Sequence, residues 1–99
     1  VLNVVPPHGA GSIAHQAGVI NVDRRWAGVD FQTYESTAVP GIHVLGDATS
    51  ASPMPKSAHS ANNQAKIAAS AIIAGLRGNP PTAVPVSANT CYSFVSPSE

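Results

Sequence analysis

The sequence predicts an α/β domain of short strands with one long helix over residues 57–77. Three observations carry this. From Ser57 to Leu76, the small or apolar residues Ala58, Ala61, Ala65, Ala68, Ile72 and Leu76 recur at three- and four-residue steps, the period of one helix face. Ile42–Leu45 is a short apolar run closed by Gly46, the pattern of a central strand covered on both sides. Between them, "GIHVLGDATSASPMPKSAHSANNQAK" (41–66) runs strand, Gly-Asp, loop and helix start in the order that holds a polar ligand at the carboxyl edge of a parallel sheet.

Taken along the chain, Val1–Val5 reads as a short β-branched strand ended by Pro6-Pro7. Gly9 and Gly11 open a loop, and Ser12–Ala17 predicts one or two helical turns stopped by Gly18. Val19–Arg25 is ambiguous. Val29, Phe31 and Thr33 alternate with Asp30, Gln32 and Tyr34, a half-exposed strand. Pro40-Gly41 marks a turn before Ile42–Leu45. Pro53 and Pro55 bar an earlier start of the long helix, because a residue before proline avoids the helical region. Ser57 is its expected N-cap, and Gly78 followed by Pro80-Pro81 its stop. Pro80–Ala88 is a linker, and Thr90–Val95 returns to a strand pattern.

Charged residues make up 10% of the chain, against about 25% in ordinary soluble domains, and the net charge is zero. No basic stripe is present to hold a phosphate backbone, which argues against nucleic-acid binding. With 43% hydrophobic residues, much of the surface is expected to be covered by other parts of a larger protein, by a partner or by self-association. The opening strand, without an initiator methionine, also reads as a cut from a longer chain. No apolar run reaches the roughly 18–20 residues of a membrane helix. The single cysteine excludes an internal disulfide, and His8, His15, His43 and His59 show no metal-ligand spacing. No metal site is expected. Without a G-x-S-x-G elbow, Ser57 and Ser60 do not support serine hydrolysis.

The chemistry concentrates in residues 46–58. Gly46 lets the backbone pass close to a ligand, and Asp47 at a strand end can accept hydrogen bonds from the hydroxyls of a ribityl or ribose chain. The helix N-terminus offers free N–H groups and roughly half a positive charge, with Lys56 adding a full one. This suits the electron-rich pyrimidine edge of a flavin. The bland reading is a strand–turn–helix connection in which Asp47 caps a turn and Lys56 is solvated.

"TAVPGIHVLGDATSASPMPKSAHSANNQAKIAASAI" resembles the C-terminal flavin motif of flavoproteins with two dinucleotide-binding domains: a Thr or Ser, "PGI", an apolar strand ending in "GD", then a helix bearing "A..Q". The turn "SPMPKS", "VVPP" upstream and "NTCYS" downstream resemble one branch, the flavoprotein subunit of flavocytochrome c sulfide dehydrogenase. The resemblance covers nearly the whole chain.

It implies a fragment of a Rossmann-like FAD-binding domain lacking its N-terminal βαβ unit. Residues 1–79 would be the C-terminal part of that domain, and 80–99 a linker with the start of the following cysteine-bearing segment. Asp47 would bind the FAD ribityl chain beside Gly46, and Ser57 and Ala58 would present N–H groups to the flavin pyrimidine, with Lys56 alongside. Cys91 would be the catalytic redox cysteine, its partner lying upstream of this chain. Pro6 and Pro7 would lie in a loop returning towards the flavin. Ala58 and Ala65 depart from the pattern, standing where relatives often have Gly. The implied activity is periplasmic sulfide oxidation, with electrons passed through FAD to a c-type cytochrome subunit. The rival within the superfamily is a sulfide:quinone or NADH:quinone reductase. The rival outside it is a non-catalytic, self-associating module with Cys91 as ordinary core. No G-x-G-x-x-G motif seats the adenosine half of FAD, so the chain alone is expected neither to retain FAD nor to oxidise sulfide.

Overall fold

The computed structural model describes residues 1–81, 86, 88–90, 92 and 95–96. It is a small mixed α/β arrangement of a short helix, α1 (Ser12–Gln16), a two-stranded antiparallel sheet, β1 (Ile20–Val22) with β2 (Trp26–Ala27), a 3-10 turn at Gly46–Ala48, and a long helix, α2 (Ala58–Leu76).

Both helices end as the sequence dictates. Gly18 and Gly78 each take φ +72, and each closes its helix with the paired backbone bonds of a Schellman ending. Val19 N–H donates to Ala14 C=O at 3.2 Å after α1, and Asn79 N–H to Ala74 C=O at 2.9 Å after α2. Ser57 is extended (φ −146, ψ 156), and its hydroxyl accepts the Ser60 N–H at 3.1 Å, satisfying one of the first-turn donors.

The buried face of α2 differs from the one its apolar spacing predicts. Ser60, Gln64, Ala68 and Ala74 are buried, whereas Ile72 and Leu76 are 40% and 84% exposed. In this rotation the buried Gln64 finds an internal partner: its Oε1 accepts the Gly46 N–H at 2.6 Å.

The predicted strands fare less well. Val1–Val5 has no regular structure and, among the described residues, no partner strand, and its apolar side chains are exposed. Residues 29–34 fold back instead of running on. Asp30 Oδ1 accepts the Gln32 and Thr33 N–H groups, and Tyr34 sits at φ +58 with its ring buried. That turn pairs Val29 with Ser36 and Glu35 with His43, both antiparallel. Ile42–Leu45 is therefore the return arm of a hairpin-like fold, not a central parallel strand, and Leu45 is exposed. Ala27–Thr49 is the one parallel pairing among the described residues. The ambiguous stretch after Val19 resolves into β1 and β2, joined by a tight turn in which Asp23 and Arg24 take φ 48 and 57.

Two small apolar clusters form the core. Ala14, Val19 and Ala27 gather Ile20, Val39 and Ile42, while Val29, Tyr34 and Ala68 gather Ile67. Val44 packs against both and joins them. Next to the first lies a polar knot at Gly28. Its N–H donates to Asn21 Oδ1 at 2.7 Å, and its C=O accepts the Thr37 N–H at 3.0 Å and the Thr37 hydroxyl at 3.2 Å. Asn21 Nδ2 closes the ring by donating to Thr37 Oγ1 at 2.8 Å. A Cβ on Gly28 would come within 2.8 Å of Asn21 Oδ1 and 2.9 Å of Thr37 Oγ1. Gly28→Ala is accordingly expected to cost about 1–3 kcal/mol by prising these groups apart. A urea midpoint equal to wild type would show that the knot yields freely.

Candidate functional site

The sequence order around Gly46-Asp47 builds a real concavity. Gly46 turns the chain at φ +72 and seats against α2, where an added Cβ would stand 3.6 Å from Ala61 Cβ. The two helix residues that receive Gly46, Ala61 and Gln64, are the "A..Q" pair of the helix. Gly46 thus faces α2, and its open side serves helix packing. Asp47 and Ala48, next in the 3-10 turn, face the other way into a cleft of about 300 Å³. The remaining walls are His8, Gly9, Ala10 and Gly11 from the N-terminal loop, Trp26 from β2, and Lys56.

Asp47 is exposed and its carboxylate accepts no hydrogen bond among the described residues, so both oxygens are open to a ligand's hydroxyls. Lys56 is differently committed. Its ammonium donates to the backbone C=O of Asp47 and, at 2.7 Å, to that of Thr49, and lies 3.8 Å from the centroid of the Trp26 ring. Partial desolvation holds its pKa below the ordinary lysine value, with the Asp47 carboxylate opposing that shift. Lys56 therefore contributes its charge and the shape of the wall, with two of its three donors already spent on the backbone.

Asp47 and Lys56 thus share one cleft, which Gly46 does not line. Ser57 and Ala58 do not line it. The Ser57 hydroxyl donates to Asn89 Oδ1, and Asn63 Nδ2 donates to the Ala88 C=O at 2.9 Å, so residues 88–89 lie across the start of α2. By helix geometry the first-turn N–H groups of Ala58 and His59 have no intrahelical acceptor. Cys91 lies outside the described residues.

Nothing in the sequence assigns Trp26 or His8 a place in the site. The structure puts Trp26 and His8 in the cleft and leaves His59 exposed away from it. The "HGAG" at 8–11 after two prolines was the available signal for the loop, since small residues allow close approach of a ligand. Nothing local marked Trp26. His43 is a hydrogen-bonded, half-buried histidine. A carbonyl oxygen only accepts, so its Nδ1 carries the proton donated to Thr33 C=O at 2.8 Å. Among the described residues no cluster of His, Cys, Asp and Glu could hold a metal ion, and no helix is long and apolar enough to cross a membrane. No family model matches the chain.

Proposed function

We propose that the chain is the C-terminal part of the FAD domain of a sulfide dehydrogenase of the flavocytochrome c type. The observation that carries this reading is the cleft in which the Asp47 carboxylate, accepting no hydrogen bond among the described residues, meets the His8–Gly11 loop, Trp26 and Lys56. Such a donor and acceptor set fits a hydroxylated chain attached to an aromatic ring system. A volume of about 300 Å³ is at the low end for ligand sites, in keeping with part of a dinucleotide cofactor and not the whole of it.

In this assignment Asp47 binds ribityl hydroxyls and Lys56 holds positive charge beside the flavin. Bound FAD would supply the two-electron acceptor for sulfide and the route onward to a c-type cytochrome subunit in the periplasm. Cys91 is proposed as the redox cysteine that handles the sulfur, with its partner in another part of the complete protein.

Asp47→Ala in the complete flavoprotein removes charge-assisted hydrogen bonds worth about 1.5–3 kcal/mol. FAD affinity is then expected to fall about 10- to 100-fold, read by titrating the apoprotein with FAD. Unchanged affinity would remove Asp47, and with it the main support for a flavin site. The 99-residue chain alone is expected to emerge from gel filtration without flavin absorbance; a retained band would overturn the half-site assignment.

One observation favours a second reading. Ile72, Ile73 and Leu76 leave apolar surface exposed near the end of α2, with Ile72 and Leu76 lining a groove beside Thr33, Glu35 and His43, and a self-associating module would use such surface. A sedimentation profile that stays monomeric at high concentration removes it.

A further inference from the structure

The lysine at the cleft wall is held by an aromatic face, and that arrangement has a purpose the sequence does not reveal. Asp47 is the middle residue of the turn Gly46–Ala48, with no regular strand after it to keep its direction. Two anchors secure the turn from behind: the Gly46 N–H on Gln64 and the Thr49 hydroxyl on Gly46 C=O at 2.9 Å. On the cleft side, the anchor is Lys56, which gathers the carbonyls of Asp47 and Thr49 onto one ammonium.

With two acceptors on one ammonium, its remaining side meets the indole of Trp26 at 3.8 Å, within the range of a cation–π contact. β2 is well placed to do this, because Ala27 pairs with Thr49 and accepts the Ser50 N–H at 2.8 Å, bringing the indole alongside the turn.

We propose that Trp26 is a positioning residue of the cleft: its ring fixes the Lys56 ammonium, which clamps the 47–49 backbone and so presents the Asp47 carboxylate to the ligand. The inference rests on the flavin reading for the identity of that ligand. Trp26 and Lys56 act as one device, so removing either should forfeit what both provide.

The test is a double-mutant cycle in the complete flavoprotein, with FAD as the titrant. Trp26→Leu keeps apolar bulk and removes the π face, and Lys56→Met keeps the side-chain length and removes the charge. Each is expected to weaken FAD binding about 5- to 30-fold, and the double variant no further than the worse single. Trp26→Phe, which restores an aromatic face, should recover to within about threefold of wild type. Losses that multiply in the double variant, or a Trp26→Phe protein no better than Trp26→Leu, overturn the clamp. If wild-type protein takes up no FAD, the flavin reading is what fails. The clamp is then decided by the same cycle in urea midpoints: non-additive shifts retain it, additive shifts dismiss it.

Discussion

Replacing Gln64 with alanine is expected to destabilise this fold by about 2–4 kcal/mol, one of the two largest losses for a single side chain here. Gln64 is 1% exposed, and its Oε1 accepts the Gly46 N–H at 2.6 Å across the interface between α2 and the turn that carries Asp47. Alanine leaves that N–H without its acceptor, at about 1–3 kcal/mol, and opens a void where the amide stood. Gln64→Leu separates the two terms, since it refills the volume but still offers no acceptor. It should recover only part of the loss in urea unfolding. A leucine variant as stable as wild type would show that the hydrogen bond contributes nothing net.

Tyr34→Ala is expected to cost about 3–5 kcal/mol, the range for deleting a buried aromatic ring. Tyr34 is 2% exposed, anchors the second apolar cluster with Val29 and Ala68, and meets Phe31 edge-on at 6.4 Å. Its backbone also sits at φ +58, where a residue with a Cβ is strained by roughly 1–2 kcal/mol. That gives the position an unusual signature. Tyr34→Gly deletes the same ring but relieves the backbone, so it should unfold at a higher urea concentration than Tyr34→Ala. The reverse order would mean that the left-handed geometry is not what the folded chain requires at this residue.

These two positions also show where reading the chain succeeds and fails. Ser57, Gly18 and Gly78 announced the helix ends because capping is local: a hydroxyl reaching an N–H three residues on, or a glycine at positive φ, depends on a few adjacent residues. Helix position was therefore legible, but its rotation was not. Hydropathy ranks Ile72 and Leu76 above Gln64, and only a partner 18 residues away makes a buried amide favourable. Strand pairing was illegible for the same reason. Asp30 and Tyr34 convert an alternating run into a turn, and the pairing of Glu35 with His43 follows from that turn and not from either segment's own pattern. Thr90–Val95, the last predicted strand, includes residues 91, 93 and 94, which lie outside the described residues.

The candidate site divides similarly. Asp47 and Lys56 were visible as a lone acid and a lone cation in a chain with few charges, bracketing a proline-rich turn. That they share a cleft, and that Lys56 is bound to the backbone of Asp47, follows only from the tertiary fold. Trp26 and His8 enter the cleft from 21 and 39 residues before Asp47, a separation that leaves no periodic trace.

By itself, the amino-acid sequence determined one long capped helix, a short one before it, and a Gly-Asp turn ahead of the long helix, all consequences of backbone preferences within a few residues. Only the tertiary structure decided which face α2 buries, that Gly46 serves the helix while Asp47 serves the cleft, and that an indole holds the lysine beside it. Those outcomes depend on buried polar partners and aromatic contacts between distant segments, and such energies exist only once the chain has closed on itself.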